Sequence, residues 1–282
     1  MRIFSNAPVE EIIRTRRSVR TYQHQPVEME VRSQISKYIE TLETPFGGEF
    51  AFRMIESCEP VNGARLGTYG IIKGATDYIG VTVKRGESAE FSVGYAFEKL
   101  ILYITSLGLG TCWMGGTFKR SEFAKAMDVQ GDDLFPAISP FGYAAQKRSL
   151  SDSLVRYIAK GNQRKPWEEL FFDGDFNTPL SNLDAGAYEL PLEMVRLAPS
   201  ASNKQPWRIV RQEDGYHFYL ARTPGYGEAL GYDIQKVDMG IAACHFQLTA
   251  MEKGLSGHFR IRTPEVRDIP QNTRYVFSWI RE

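Results

Sequence analysis

The sequence repeats itself at a fixed spacing, and this repeat constrains the fold more than any other feature. Gly94 and Gly240 are 146 positions apart, as are Gly108 and Gly254. Two unrelated helices that end in Gly-Leu would align in the same way. The order of helix, loop, strand, long helix, glycine and strand also recurs, however, which favours a true duplication. We therefore predict two related halves.

The length of the chain is consistent with two halves, because 282 residues suffice for one large domain or two of about 140 residues. Residues 173–183 are rich in Asp, Asn, Pro and Gly, which is typical of a linker. We predict an N-terminal half over residues 1–172 and a C-terminal half over residues 173–282.

Hydrophobic periodicity predicts an α+β chain. The two longest predicted helices cover residues 92–107 and 238–253, and each is followed by a glycine. Shorter helices are predicted at 8–15, 27–42 and 190–197. Strands are predicted at 78–83, 137–143, 208–212, 216–221 and 274–280.

The composition excludes several classes of function. The 34 Lys and Arg residues are balanced by 34 Asp and Glu residues, which argues against broad binding of nucleic acid or an anionic membrane. The sequence contains neither a long apolar run nor a secretory signal. Cys58, Cys112 and Cys244 form no C-x-x-C motif, and the histidines lack zinc-binding spacing. We expect a cytoplasmic protein with buried thiols, no membrane span and no metal.

The segment Arg16–Arg20 (R-R-S-V-R) is the first candidate binding motif. It places three guanidinium groups and one hydroxyl within five residues, and arginine matches the oxygens of a phosphate well. A solvated basic turn or a nucleic-acid patch would have the same composition. The balanced charge and the lack of interleaved aromatic residues argue against nucleic acid.

Two further segments combine small and polar residues beside predicted helices. In residues 108–116 the pair Gly115-Gly116 could let the backbone approach a planar ligand, although a helix C-cap followed by a turn would also explain glycines there. Residues 198–207 could bind the polar edge of a ligand. Their Ser and Asn side chains could instead satisfy the loop backbone.

Taken together, these segments resemble the FMN-dependent nitroreductases. The family motifs are R-R-S-x-R, G-L-G-T-x-W-x-G-G, R-K-P-x-E-E and A-P-S-x-x-N-x-Q-P-W, which appear here at residues 16–20, 108–116, 164–169 and 198–207. The chain is most similar to members in which one chain carries two nitroreductase-like halves. The resemblance implies a three-layer α/β/α fold, internally duplicated as a single-chain pseudo-dimer.

The resemblance also implies which residues contact FMN. Arg16, Ser18 and Arg164 would hold the phosphate and the nearby ribityl chain. Arg20 would lie at the pyrimidine edge, where positive charge stabilises reduced flavin, and Arg17 would support the same corner.

Backbone groups along the flavin ring would come from Met114, Gly115 and Gly116. The other side of the site would be closed by Pro199, Ser200, Ala201 and Asn203. Lys147 and Arg148 are alternative phosphate ligands. No side chain is required as a catalytic acid or base, because FMN itself carries the hydride chemistry.

The two halves differ in which motifs they keep. In the first half, residues 44–49 (T-P-F-G-G-E) have lost the Ser and Asn of the loop at 199–203. The second half lacks R-R-S-x-R, and residues 259–262 (F-R-I-R) replace its glycine pair. We therefore expect one complete site, one FMN per chain and one degenerate site. The chain could then act as a monomer.

The predicted activity is transfer of hydride from NAD(P)H through FMN to a nitroaromatic compound, a quinone or a similar small acceptor. We expect residues 46–52 to line the open face of the flavin. A flavin-binding or sensing protein without turnover is the alternative, and a nucleic-acid or partner-binding module built on Arg16–Arg20 is a third hypothesis.

Overall fold

The computed structural model describes residues 2–56, 67–146 and 163–282. The N-terminal half contains, in chain order, α1 (Val9–Thr15), α2 (Met29–Ile39), β1 (Phe50–Glu56), β2 (Asp77–Val83), α3 (Ala89–Ser106), β3 (Gly110–Thr111), α4 (Arg120–Ala126) and β4 (Leu134–Gly142). The C-terminal half contains β5 (Phe171–Asp173), α5 (Asn182–Ala185), α6 (Glu189–Leu197), β6 (Trp207–Gln212), β7 (Gly215–Ala221), α7 (Ile234–Glu252), β8 (Gly257–Arg260) and β9 (Thr273–Arg281).

All the helices and strands predicted from the sequence are present, with ends that differ by up to four residues. The largest difference is at α7, which begins at Ile234 because the Asp233 side chain accepts hydrogen bonds from the backbone N–H groups of Gln235 and Lys236. The structure adds the short or half-exposed elements β1, β3, α4, β5, α5 and β8.

The strand order confirms the duplication. The first sheet has the order β1-β2-β4-β3, and the second has β5-β6-β7-β9-β8. Apart from β5, the two orders are identical once β6 to β9 are matched to β1, β2, β3 and β4 in chain order. The pairs β2–β4 and β7–β9 also each contain a register irregularity.

Equivalent hydrogen bonds repeat as well. Ser92 on α3 donates from Oγ to the carbonyl oxygen of Gly47 at 2.5 Å. Asp238, which is 146 positions after Ser92 on α7, accepts from the N–H of Ala201 at 2.9 Å. Each long helix therefore holds the loop that precedes β1 in the first half or β6 in the second.

The layers differ between the halves. In the first half, α2 and α3 cover one face of the sheet, and α4 covers the other through Phe123, which packs with Tyr78 and Phe135. In the second half, α6 and α7 cover the inner face. Phe176, from the segment after β5, packs on the outer face against Val210 and Tyr219.

Residues 173–183 are packed against the second sheet, which a free linker would not be. Phe176 and Leu180 are buried, and Arg211 pairs with both carboxylate oxygens of Asp173, at 2.9 and 2.7 Å. Strand β5 crosses the predicted boundary at residue 172 and pairs in parallel with β6. The boundary itself stays a prediction.

The halves meet where α3 crosses α7. A Cβ atom added to Gly94 would lie 2.0 Å from the carbonyl oxygen of Val237, and one added to Gly240 would lie 2.1 Å from that of Phe91. Because real Cβ atoms do not approach oxygen so closely, only glycine permits this crossing at both positions. These are the two glycines that the sequence repeat aligns.

We predict that Gly94→Ala destabilises the protein by about 1–3 kcal/mol, because the added methyl group forces the two helices apart. The unfolding midpoint in urea measures this effect. Gly86→Ala is the matched control, since Gly86 is exposed and an added Cβ would contact nothing. Equal midpoints for the two variants would show that the close crossing is not required.

Candidate functional site

A cavity of about 760 Å³ lies between the two halves, and all twelve residues proposed from the sequence line it. The first half contributes Arg16, Arg17, Ser18, Arg20, Met114, Gly115, Gly116 and Arg164. The second half contributes Pro199, Ser200, Ala201 and Asn203. The alternative ligands Lys147 and Arg148 lie outside the described residues. The cavity thus gathers motifs that are far apart in the sequence.

The segment Arg16–Arg20 runs in an extended form beside β3. The N–H of Val19 donates to the carbonyl oxygen of Thr111 at 2.8 Å, and the N–H of Lys73 donates to that of Arg20 at 2.9 Å. Val19 is buried, whereas Ser18 and Arg20 on either side of it line the cavity. Alternation along an extended segment explains why one residue packs inward while its neighbours face the site.

Arg16 is a buried cation at the wall of the cavity. Its side chain is 7% exposed, and its Nε lies 3.7 Å from Oε1 of the buried Glu98. Among the described residues, this Nε has no hydrogen-bond partner. A buried guanidinium that is only partly compensated favours an anionic ligand beside it.

Arg164 joins the first half to the loop of the second. It donates to Oδ1 of Asn203 at 3.2 Å and to the carbonyl oxygen of Leu197 at 3.1 Å. The amide of Asn203 donates in return to the carbonyl oxygen of Gln163 at 2.8 Å. The two motifs that contain Arg164 and Asn203 therefore hold each other in place.

The loop at residues 199–205 has a strained backbone. Ser202, Asn203 and Gln205 adopt left-handed conformations, with φ of 47°, 53° and 48°. Oγ of Ser200 accepts from the N–H of Gln205 at 2.9 Å and stabilises this path. Clustered left-handed residues other than glycine are characteristic of functional sites, where the surrounding structure compensates the strain.

Asp238 lines the same cavity and was not predicted from the sequence. It is 2% exposed, and Oδ2 has no hydrogen-bond partner among the described residues. Burial raises the pKa of this carboxyl group well above its ordinary range. Burial therefore favours the neutral form of Asp238 at the cavity wall, where Oδ1 accepts from the N–H of Ala201.

The glycine pair packs against residues from the second half. A Cβ on Gly115 would lie 2.8 Å from Cδ1 of Ile234 and 3.2 Å from Oη of Tyr232. A Cβ on Gly116 would lie 3.4 Å from Leu230. Gly115 thus packs closely against the start of α7, and a Cβ there would displace the end of the Ile234 side chain. Access of a ligand to the backbone at Met114–Gly116 stays a prediction.

Residues 222–233, here named the roof segment, cover one side of the cavity. They connect β7 to α7, whereas only residues 84–88 make the equivalent connection in the first half. Tyr226 is within 2.8 Å of Ser202 Oγ, and Tyr232 is within 2.9 Å of the Gly115 carbonyl oxygen. Burial raises the pKa of Tyr232 to about 12, so its hydroxyl remains a donor.

The expectation that residues 46–52 line the open face of the site is wrong for this cavity, where the roof segment takes that position. The glycine-rich stretch G-Y-G-E-A-L-G-Y at residues 225–232, which is long for a strand-to-helix connection, was the available signal in the sequence.

Phe46 lies instead on the other side of the pseudo-dimer, in the space that corresponds to the cavity. Its ring centroid is 5.8 Å from that of Phe91, 4.7 Å from that of Phe277 and 6.2 Å from that of Tyr95. Phe91 and Tyr95 are 146 positions before Val237 and Ile241, which line the cavity. Packed aromatic rings therefore occupy the space that corresponds to the cavity.

A family model described as "Putative TM nitroreductase" matches residues 8–250. The chain belongs to this nitroreductase family. A crystal structure of a "putative nitroreductase" from Thermotoga maritima superposes with a TM-score of 0.63 and 20% sequence identity. The match covers 100% of this chain and 97% of the Thermotoga maritima chain, so the nitroreductase fold extends over both halves.

Other nitroreductase structures match about half of the chain. One from Desulfovibrio desulfuricans, described as a complex with FMN, has 24% identity, a TM-score of 0.40 and coverage of 54% of this chain and 97% of its own. One from Desulfitobacterium hafniense with bound FMN has 16% identity, a TM-score of 0.41 and coverage of 50% and 90%. No curated protein sequence matches.

None of the helices within residues 2–56, 67–146 and 163–282 combines the length and apolar character that crossing a bilayer requires. Within the same ranges, His, Cys, Asp and Glu form no group of three or more that could hold a metal ion.

We predict that Asp238→Asn stabilises the protein more at pH 7 than at pH 4. The unfolded chain releases the Asp238 proton above about pH 4, whereas the folded chain retains it. Wild-type stability therefore falls relative to the variant as the pH rises, by about 1.4 kcal/mol per pH unit until the raised pKa is reached.

Urea unfolding of both proteins between pH 4 and pH 8 measures this difference. Asp132→Asn at an exposed site is the control and should show no such trend. A stability difference between wild type and Asp238→Asn that does not change with pH would contradict a neutral buried Asp238.

Proposed function

We propose that this nitroreductase-family protein is an FMN-dependent oxidoreductase. The observation that carries the proposal is the convergence of all twelve motif residues, from both halves, on one cavity. Its volume of about 760 Å³ lies within the range of about 300–1,000 Å³ that is typical of cofactor and ligand sites.

The residues present suit a flavin mononucleotide. Arg16 offers a buried and incompletely paired guanidinium, which suits a phosphate, and Arg17, Ser18 and Arg164 line the same cavity. The polar loop at 199–203 faces them from the second half. We assign the phosphate and ribityl chain to Arg16, Ser18 and Arg164, and the ring to Arg20, Met114–Gly116 and the loop.

Bound FMN would supply the hydride chemistry, and the chain would supply binding and electrostatics. The arginines place positive charge at the wall of the cavity, where negative charge on a cofactor is favoured. The roof segment covers one side of the cavity. No side chain of the site is required as a nucleophile.

We further propose NAD(P)H as the hydride donor and a planar, largely apolar acceptor such as a nitroaromatic compound or a quinone. Support comes from the roof segment, which presents Tyr226, Leu230 and Tyr232 to the cavity. Aromatic and aliphatic side chains bind flat apolar molecules. The roof segment places few charged groups at the cavity, so it does not disfavour such molecules.

Anaerobic mixing tests the reductase activity directly. We expect NADH or NADPH to bleach the absorbance of the bound flavin, and an added quinone or nitroaromatic compound to restore it. If neither nucleotide reduces the flavin while dithionite does, the protein binds flavin without this turnover, as in the sensing alternative.

We also propose one FMN per chain, because Phe46, Phe91 and Phe277 fill the equivalent space in the other half. Both sides of the proposed site come from one chain, so no partner subunit is needed. The reducing cytoplasm proposed as its location is consistent with the buried thiols Cys112 and Cys244, which form no disulfide within the described residues.

We predict that the purified chain binds one equivalent of FMN and that Arg16→Gln raises the dissociation constant at least about tenfold, since a hydrogen bond to a charged group contributes about 1.5–3 kcal/mol. Quenching of flavin fluorescence measures both quantities. Arg14→Gln is the control, because Arg14 is exposed and pairs with Glu10. Two equivalents of FMN would contradict the assignment of a single site.

A further inference from the structure

The carboxylate of Glu98 lies at the centre of a buried polar network. Its Oε2 accepts from Nε1 of Trp113 at 2.6 Å. Its Oε1 lies 2.8 Å from Nε2 of His245 and 3.7 Å from Nε of Arg16. Nδ1 of His245 lies 2.8 Å from the carbonyl oxygen of Met194. Glu98, His245 and Met194 are fully buried.

Residues of this network belong to, or come shortly before, three segments that line the cavity. Arg16 begins the R-R-S-V-R segment, and Trp113 precedes Met114–Gly116. Met194 lies on α6, which leads directly into the loop at 199–203. Glu98 on α3 and His245 on α7 belong to different halves, so their contact connects the walls across the interface.

The hydrogen bonds define where the protons lie. A carbonyl oxygen can only accept, so Nδ1 of His245 must carry a proton. Nε2 then shares a second proton with Glu98. The N–H of Trp113 and the cation of Arg16 both stabilise the ionised form of Glu98. These two contacts favour the form of the pair in which the second proton is on His245.

We propose that Glu98 is a positioning residue for the cofactor site. It is ionised, pairs with a doubly protonated His245 and holds Arg16 and Trp113 in the geometry that binds the cofactor. The part of this proposal that concerns cofactor affinity rests on the proposed FMN function.

Comparison of the two duplicated halves distinguishes the positioning role of Glu98 from a general role in folding. At the spacing of 146 residues that aligns the long helices, the counterpart of Glu98 is Cys244 and that of His245 is Lys99. Burial raises the pKa of the Cys244 thiol, which therefore stays neutral. The side of the pseudo-dimer that is filled by aromatic rings thus has no equivalent ion pair. The network is present only on the side that carries the complete set of site motifs.

Glu98→Gln tests the proposal, because glutamine keeps the shape and an acceptor oxygen but loses the charge. We expect the FMN dissociation constant, measured by fluorescence quenching, to rise about tenfold, because Arg16 loses the carboxylate 3.7 Å away that orients it and its charged hydrogen bond to the phosphate is weakened. The half-buried Lys99, at the counterpart position of His245, provides the control Lys99→Gln, which should bind FMN as wild type does.

Nitrogen NMR of ¹⁵N-histidine-labelled protein provides a readout that loss of packing would not produce. We expect both ring nitrogens of His245 to be protonated at pH 7.5 in wild type, and only Nδ1 in Glu98→Gln. His245→Gln assigns the signal. If Glu98→Gln fails to fold, Trp113→Phe replaces it, with weaker FMN binding and an unchanged doubly protonated His245.

A singly protonated His245 in wild type would overturn the proposed ion pair. Unchanged FMN affinity in both Glu98→Gln and Trp113→Phe would overturn the positioning role. If wild type binds no FMN, the proposed function fails, and the histidine signal still decides whether the ion pair exists.

Discussion

The close crossing of α3 and α7 at Gly94 and Gly240 is the constraint on which the rest of the structure depends. The first-half residues Val9, Ile12 and Phe91 lie in the same buried cluster as the core of the second half, so the first half completes that core. The cavity is lined by the start of α7 together with the R-R-S-V-R segment of the first half and the loop at 199–203 of the second.

Around this nearly symmetric frame the side chains are asymmetric. On one side, Val237, Ile241 and the roof segment leave an open cavity, and the Glu98–His245 pair lies beneath it. On the other side, Phe46, Phe91 and Tyr95 fill the equivalent space. Ser92 donates to the loop backbone and Asp238 accepts from it, so each side nevertheless keeps a hydrogen bond between its long helix and its loop. The same backbone arrangement therefore accommodates either an open cavity or packed aromatic rings. The two sides differ in their side chains.

Much of the fold and of the site could be predicted from the sequence because the evidence was local. Gly94 and Gly240 marked the repeat, and Arg16–Arg20 and residues 198–207 carried recognisable motifs. The network and the roof could not be predicted in this way. Glu98 and His245 lie within apolar helical stretches, and only the helix crossing brings them together. Asp238 reads as an ordinary helical acid until its burial is known. Gly115 packs against Ile234, which is more than a hundred residues later in the chain.

The aromatic rings around Phe46 also have a consequence for how such a protein can change. In a dimer of identical subunits, every mutation alters both sites at once, so a phenylalanine that closes one site closes both. Here the two copies are encoded separately, and a substitution alters one side alone. One copy could therefore exchange binding capacity for tighter packing while the other kept its ligand. The two halves are free to specialise, one in recognition and the other in support.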